Sequence, residues 1–344
     1  MTPRERWQAV LSRKKPDRIP MDIWITPEAT DNLCRYFGCD FEEARRRLRI
    51  DMPLTVTPRY IGPGHAKGED PFGLQRRPVD HGTGRYDEVV NAPLAKYSSV
   101  EEIEANYRWP SPDDWDYSGL PEQVRGNEDR PIRGGGSEPL LLYKHLRGDE
   151  QALMDFALNP GIVEYCLGKL FDLAYENTRR IFETIPGRVM ITYVAEDLGG
   201  QEALMYSPKH IRRFLFPGMK QMIELTREHG SWVFHHSDGS IRPILPELIE
   251  LGIQVLNPVQ WRCRGMEREG LKQDFGDRLI FHGGVDNQHT LPFGTPDDVR
   301  REVADNIRIL GAGGGYILAP CHNIQDNTPP ENIVAIYKAG LEFG

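Results

Sequence analysis

The chain has 344 residues and a net charge of −9, from 51 acidic and 42 basic side chains. Because the basic residues are dispersed and outnumbered, no nucleic-acid partner is expected. No apolar run approaches the ~20 residues that span a bilayer, and the N-terminus, MTPRERWQAV, lacks the apolar core of a signal peptide. Five cysteines without a CxxC pair favour reduced thiols over disulfides. We therefore expect a cytoplasmic protein with no membrane partner.

The first half of the chain contains several short strand and helix patterns. A helix is expected after Thr2, a strand at 17–24, a helix at 41–48 and a second strand at 51–58. Residues 62–112 are rich in Gly, Pro and charge, which predicts an irregular inserted lobe over one end of the fold. A weaker strand follows at 130–136 and closes in three glycines.

The second half has clearer strands, and polar side chains follow them. An apolar strand leads into Glu196 and Asp197, and the next leads into His235, His236, Ser237 and Asp238. Ser240 is placed to cap the helix after that strand. Strands in this half are expected at 188–194, 232–234, 253–256, 278–281 and 316–319.

About eight strands, each followed by helical sequence, predict an α/β fold of the (β/α)₈ TIM-barrel type rather than a doubly wound sheet. Polar side chains follow several of these strands directly, at the C-terminal end of the strand. This is the end at which such barrels place their catalytic groups. The glycine-rich run at 311–315 ends a helix and precedes a strand, so it indicates a turn and not a dinucleotide-binding loop. We expect one domain over 1–344, with an N-terminal excursion covering one end.

His236, Asp238 and Cys321 form the candidate metal site. Mixed nitrogen, oxygen and sulfur donors suit zinc, and three protein ligands leave one position open for a substrate. Glu196 is available as a fourth ligand. Asp238 could instead help to cap a helix and Cys321 could be an ordinary thiol, so the residue pattern leaves both interpretations open.

Glu196, Asp197 and His322 are the candidate catalytic residues. Two adjacent carboxylates in a buried site, such as Glu196 and Asp197, push their pKa values apart, which suits one to act as an acid and the other as a base. The two carboxylates could equally bind loop amides. A catalytic triad of His236, Ser237 and Asp238 fails, because adjacent residues cannot form the relay. Other polar or aromatic side chains near strand ends are candidates for substrate contact: Asp22, Trp24, Gln201, Asn257, Gln260, His282, Asp286 and Asn323.

The chain resembles the uroporphyrinogen decarboxylase superfamily, which includes zinc-dependent cobamide methyltransferases. The resemblance covers most of the chain and rests on TPRERWQAVLSRKKPDRIP, LRGDEQALMDFALNP, EDLGGQEALMYSP, HSDGSIRPILPELIELGIQVLNPVQ, FHGGVDNQ and ILAPCHNIQDNTPPENI. True decarboxylases carry P-x-W-x-M-R-Q-A-G-R-Y after the first strand. The corresponding stretch here, IPMDIWITPEATDNL, has Asp22 and no arginine. The resemblance therefore favours the methyltransferase branch, whose ligands are a His-x-Cys pair and a distant Cys. His236 and Cys321 match the first and last, and Asp238 replaces the middle cysteine.

Three functions remain open at this point. The first is a zinc-dependent methyltransferase that moves a methyl group between an O- or S-methylated small molecule, or a thiol, and a corrinoid on a partner protein. The second is a metal-free decarboxylase for a carboxylated substrate, with Asp22, Asp197 and His322 as acid and base. The third is a non-catalytic barrel that binds a tetrapyrrole or corrinoid. The resemblance also implies a homodimer.

Overall fold

Strands and helices alternate along most of the chain in the computed structural model, which describes residues 1–63, 68–80 and 85–344. The strands are β1 (Leu54–Val56), β2 (Arg59–Tyr60), β3 (Arg76–Asp80), β4 (Arg85–Val89), β5 (Trp115–Asp116), β6 (Ile132–Ser137), β7 (Ile191–Val194), β8 (Trp232–His236), β9 (Val255–Val259), β10 (Ile280–Val285) and β11 (Tyr316–Pro320). One parallel sheet of seven strands forms the centre, in the order β1-β6-β7-β8-β9-β10-β11.

Helices connect the successive strands from β6 onward. Because neighbours in this part of the sheet are also neighbours in sequence, each connection is a helical crossover between adjacent parallel strands. The helices are α1 (Pro3–Leu11), α2 (Pro27–Phe37), α3 (Phe41–Arg47), α4 (Val100–Asn106), α5 (Leu120–Val124), α6 (Pro139–Arg147), α7 (Asp149–Leu158), α8 (Pro160–Thr184), α9 (Pro208–His210), α10 (Phe216–Glu228), α11 (Leu245–Leu251), α12 (Arg268–Phe275), α13 (Thr290–Phe293), α14 (Pro296–Leu310) and α15 (Pro330–Phe343). None of the helices in the described parts is long and apolar enough to cross a membrane.

The segment 21–25 lies beside β11, where an eighth strand would close the sheet. Met21 forms a parallel bridge with Leu318, and Ile25 forms one with Ile324. On its other side, the amide of Asp51 donates to the carbonyl of Met21 at 2.6 Å. The α/β class and the curled parallel sheet agree with the predicted barrel, although this segment makes only isolated bridges.

Helix α1 closes one end of the sheet. Its residues Trp7, Val10 and Leu11 pack in one buried cluster with apolar residues at or near the starts of the strands, such as Val255 and Ile280. The Thr2 side chain accepts from the amide of Glu5 and caps this helix, as the sequence predicts. Because α1 fills the N-terminal end of the strands, the C-terminal end is left for a site.

The inserted lobe at 62–112 is more regular than predicted. It contains the antiparallel hairpin of β3 and β4 and helix α4. Its Leu94 and Ile103 share a buried cluster with residues of α6 and α8, and the Arg147 guanidinium donates to the carbonyls of Leu94 and Tyr97 at 2.6 and 2.8 Å. The lobe's position over one end and the single-domain division stay predictions.

Helix α11 begins later than the sequence pattern suggests. Residues 241–244, which the sequence pattern places in this helix after Ser240, form a turn in which the Ile244 amide donates to the carbonyl of Ile241 at 3.0 Å. The helix begins at Leu245, next to a proline that suits a first helical turn because it has no N–H to satisfy. Ser240 does not cap it, since its hydroxyl donates to the carbonyl of Arg264 at 2.7 Å.

Candidate metal centre

Two histidines and an aspartate converge at the C-terminal edge of the sheet. His236 is the last residue of β8, Asp238 follows two residues later, and His322 comes two residues after β11 ends. One ligand atom from each lies within 4.8 Å of the other two, and no other such group of His, Cys, Asp or Glu occurs in the described parts of the chain. His236 Nε2 is 3.8 Å from Asp238 Oδ1, and His322 Nε2 is 3.8 Å from Asp238 Oδ2.

A buried chain of four side chains fixes the orientation of His236. Its Nδ1 lies 2.5 Å from Asn257 Oδ1, and Asn257 Nδ2 lies 2.7 Å from His282 Nδ1. Because the amide oxygen only accepts, His236 Nδ1 carries the proton, and because the amide nitrogen only donates, His282 Nδ1 does not. The lone pair of His236 Nε2 therefore faces Asp238, and the protonated Nε2 of His282 donates to Asp22 Oδ2 at 3.0 Å.

Asp22 is the last member of this series of hydrogen-bonded side chains, and it also positions an aromatic ring beside His236. Its carboxylate accepts from the amide of Ile23 at 2.8 Å and from Trp24 Nε1 at 3.2 Å. The Trp24 ring stacks on His236, with centroids 5.4 Å apart and planes at 22°. Tyr193 lies against the same imidazole at 5.6 Å. Together these rings cover one side of the His236 imidazole.

The donor set fits a divalent cation. Asp238 Oδ1 is buried and has no hydrogen-bond partner, which is costly for a carboxylate oxygen unless a cation or an unseen proton satisfies it. Burial raises the pKa of Asp238, while His236 and His322 act against that rise. Two imidazole nitrogens and one carboxylate are a ligand set that catalytic zinc sites use.

Cys321 does not join this cluster, so the predicted ligand set changes in one member. Its thiol is buried and donates to the carbonyl of Val259 at 3.1 Å, and burial raises its pKa well above the usual range. The neighbouring residue, His322, brings its ring nitrogen to the cluster instead.

Comparisons with known proteins identify the family. Residues 125–343 match the family model for uroporphyrinogen decarboxylase (URO-D). This chain belongs to the uroporphyrinogen decarboxylase family. The uroporphyrinogen decarboxylase of Pseudoalteromonas translucida (strain TAC 125) is 23% identical over 98% of this chain and 97% of the relative. That of Psychromonas ingrahamii is 34% identical over 18% of this chain and 17% of the relative.

A solved structure shares the fold of this family member. A methyltransferase from Methanosarcina mazei superposes with a TM-score of 0.70 at 19% identity, over 100% of this chain and 99% of that one. The family match over residues 125–343 confirms the predicted superfamily, and the chain is an enzyme of that superfamily. The shared fold agrees with the predicted barrel architecture.

The two acidic residues after β7 occupy different environments in this uroporphyrinogen decarboxylase family member. Asp197 lies at the cluster, where its Oδ1 accepts from the Asp238 amide at 3.0 Å and is 3.7 Å from His236 Nε2. Glu196 is fully buried, and its Oε2 accepts from the amide of Leu140 at 2.9 Å. Burial raises the pKa of Glu196 well above its usual range. The structure places it behind the cluster and not among the ligands.

The residues predicted to contact substrate fall into three groups. Asn257 and His282 are completely buried behind His236, so they support the site and do not face a ligand. The side chains of Gln201, Gln260 and Asp286 accept hydrogen bonds within the loops. Gln201 Oε1 accepts from the Cys263 thiol, and Gln260 Oε1 accepts from the Gly239 amide. Asp286 Oδ2 accepts from Arg262 Nε. Asp22, Trp24 and Asn323 line a cavity of about 830 Å³.

Two functional candidates were missed by sequence reasoning. Arg133 lines that cavity from β6, and its neighbour Ile132 packs outward against helices. Successive side chains of a strand point to opposite faces of the sheet. This alternation could have placed Arg133 on the inner face, because its neighbour Ile132 faces outward. Glu138, one residue after β6, borders a second cavity, and burial raises its pKa to about 7. Its place at a strand end was the available signal.

Proposed function

We propose that this enzyme is a zinc-dependent methyltransferase that moves a methyl group between an O- or S-methylated small molecule, or a thiol, and a corrinoid on a partner protein. The observation that carries the proposal is the convergence of His236 Nε2, the Asp238 carboxylate and His322 Nε2 on one point, with Asp238 Oδ1 left unpartnered. The shared fold with a protein named as a methyltransferase supports the same class.

His236, Asp238 and His322 would hold the zinc. When bound, zinc supplies a Lewis acid that polarises the oxygen or sulfur carrying the methyl group. Asn257 keeps the Nε2 lone pair of His236 directed at the site, and Asp197 holds the Asp238 backbone in place through its amide. The rings of Trp24 and Tyr193 exclude water from one side of His236.

The net reaction balances without an added oxidant or reductant if the corrinoid arrives in its reduced form. In the demethylation direction the methyl group leaves its oxygen or sulfur, which takes up one proton and departs as an alcohol or thiol. The methyl carbon is accepted by the cobalt of the corrinoid. Because α1 fills the opposite end of the sheet, the corrinoid protein would dock at the C-terminal edge.

Metal-free decarboxylation is the second candidate, because a relative that matches nearly the whole chain is named uroporphyrinogen decarboxylase. In that reaction Asp22, Asp197 and His322 would act as acid and base. The carboxylate of Asp22, however, already accepts hydrogen bonds from His282, Ile23 and Trp24. Those contacts favour a positioning role for Asp22 over proton transfer to a substrate.

The test is a methyl-transfer assay with the zinc-loaded enzyme. Methoxy and methylthio donors are offered with reduced cobalamin, and formation of methylcobalamin is followed by absorbance. We expect turnover by the wild type, loss of at least ~100-fold in His236→Ala, and normal turnover in His289→Ala, whose imidazole is exposed at the surface. Carbon dioxide release from a carboxylated substrate that persists in His236→Ala would support the decarboxylase instead.

A further inference from the structure

Two of the five cysteines lie close together at the C-terminal end of helix α2. Cys34 is in the last turn of the helix, and Cys39 follows Gly38, which ends the helix in a left-handed conformation with φ of 64°. The Cys39 amide donates to the carbonyl of Cys34 at 3.2 Å, and the Gly38 amide donates to that of Arg35 at 3.3 Å. These two bonds form a Schellman motif, in which the residues at the positions of Cys34 and Cys39 commonly bring their side chains into contact.

The backbone geometry brings these two cysteines within reach of a disulfide bond. A carbonyl oxygen lies about 2.4 Å from its own Cα and an amide nitrogen about 1.5 Å from its own, so the 3.2 Å hydrogen bond limits the Cα separation to about 7 Å. The separation is shorter than this limit, because the three segments do not lie on one line. Disulfide bonds join residues whose Cα atoms are about 4.4–6.8 Å apart. Cys34 and Cys39 can therefore be joined with little movement of the backbone.

The surroundings of the two thiols give them different reactivities. Both are free thiols on half-buried side chains, so small molecules can reach them. Burial raises the pKa of Cys34, and Cys39 acts in the same direction, as expected for two sulfur atoms that lie close together. The hydrogen bond to Glu43 raises the pKa of Arg47, and Cys39 raises it further, which indicates a guanidinium near the Cys39 sulfur. A neighbouring cation favours the thiolate, the form that attacks a disulfide.

The other three cysteines are less suited to exchange. Cys166, Cys263 and Cys321 are all buried. Burial raises the pKa of Cys166 to about 12, raises that of Cys263, and raises that of Cys321 well above the usual range. A buried thiol with a raised pKa is slow to react. A disulfide in solution should therefore react selectively at the end of α2.

The pair lies in a connection that contributes to the wall of the cavity of about 830 Å³. Thr30, one helical turn before Cys34, lines this cavity, and so do Phe41 and Glu42 at the start of α3, just after Cys39. A bond between Cys34 and Cys39 would fix the connection between these two stretches of the wall.

We propose that Cys34 and Cys39 form a reversible thiol–disulfide exchange site, which a low-molecular-weight disulfide oxidises. The Cys39 thiolate attacks one sulfur of that disulfide and releases the other half as a thiol. The Cys34 sulfur then attacks the Cys39 sulfur of the mixed disulfide and releases the second half. The two cysteine thiols are oxidised, the small disulfide is reduced to two thiols, and the two cysteine protons pass to those thiols. Reversible disulfides of this kind occur as redox sensors in proteins from reducing compartments.

The experiment treats the folded full-length protein with oxidised glutathione and follows the products by mass spectrometry of the intact chain and of its peptides. We expect the chain to lose two hydrogens and to keep no glutathione, with the new bond between Cys34 and Cys39, and we expect dithiothreitol to reverse the change. In Cys34→Ser, glutathione should remain on Cys39, because the thiol that releases it is missing. In Cys39→Ser, glutathione should be captured by Cys34 about 10-fold more slowly or less, because that thiol is mostly protonated.

Cys166→Ala is the matched control, because it removes a buried cysteine of α8 and leaves the end of α2 unchanged. It should form the same disulfide at the wild-type rate. The proposal is overturned if the folded wild type forms no bond between Cys34 and Cys39, or if glutathione stays on Cys39 while Cys34 is present. Faster capture of glutathione by Cys34 in Cys39→Ser than by Cys39 in Cys34→Ser would contradict the proposed order of attack. Circular dichroism confirms that each variant is folded.

Discussion

His236 Nδ1 lies 2.5 Å from Asn257 Oδ1, and this contact determines which nitrogen of the imidazole faces Asp238 and His322. Without the amide, either ring nitrogen could carry the proton, and half of the possible arrangements would present an N–H to the metal position. Hydrogen bonds of this kind behind a metal-binding histidine commonly set both its tautomer and its orientation.

Replacing Asn257 should therefore weaken zinc binding. Asn257→Leu removes the acceptor for His236 and the donor for His282, and we expect zinc affinity to fall by about 10- to 100-fold. The measurement is competition with a chromophoric chelator, with circular dichroism to confirm folding. Asn257→Asp restores the acceptor for His236 and should recover part of the affinity. Unchanged affinity in Asn257→Leu would contradict the tautomer argument.

The sequence predicted two of the three residues in this cluster. His236 and Asp238 were assignable because a buried strand ends in polar residues, and parallel strands bring such ends to one edge. The sequence could not decide between Cys321 and His322 as the third residue. Strand β11 ends at Pro320, and the alternation of side chains along a strand does not extend beyond its end. Which of the two adjacent side chains faces the centre depends on the Cys321 contact with the Val259 carbonyl, which joins residues far apart in sequence.

Asn257 shows the same limit. The sequence pattern ended its strand at residue 256, which placed Asn257 in a loop as a candidate for substrate contact. In the structure β9 continues to Val259, so the Asn257 side chain stays inside and bridges two histidines. Apolar periodicity alone does not show that a strand continues through a polar residue that has buried partners.

The buried ion pair between α6 and α7 should contribute strongly to stability. Asp155 accepts from Arg147 Nε at 2.7 Å and from the Tyr143 hydroxyl at 2.9 Å, and the Arg147 side chain is 2% exposed. Asp155→Ala leaves that guanidinium without its partner, and we expect the free energy of unfolding to fall by about 3–5 kcal/mol. Urea denaturation measures this loss.

Asp277→Ala is the control for that variant, because Asp277 is 79% exposed beside Arg278. It should change the free energy of unfolding by less than about 0.5 kcal/mol. A similar small effect for Asp155→Ala would show that the buried pair contributes little.

Glu138 should make the stability of the zinc-free protein depend on pH. Burial raises its pKa to about 7, against about 4.3 in an unfolded chain, with His236 acting against the rise and Asp197 and Asp238 adding to it. The folded state therefore binds the extra proton, and this stabilisation is complete below the unfolded pKa and is lost as pH rises through about 7. From about pH 5.5 to about pH 8, the loss amounts to about 2 kcal/mol.

Glu138→Gln removes the titrating carboxyl and keeps the shape of the side chain. We expect the difference in unfolding free energy between wild type and variant to change by about 2 kcal/mol over that pH range, with the variant relatively more stable at the higher pH. Urea unfolding at both pH values measures it. A difference that is the same at both pH values would rule out a raised pKa for Glu138.

The proposed function requires His236, Asp238 and His322 as the zinc ligands, and metal analysis tests this directly. Protein is purified without added metal, dialysed against a weak chelator, reloaded with zinc and measured by mass spectrometry for the wild type, His322→Ala and Cys321→Ala. We predict close to one zinc per chain in the wild type and in Cys321→Ala, and almost none in folded His322→Ala. Zinc that is kept in His322→Ala and lost in Cys321→Ala would contradict the assignment.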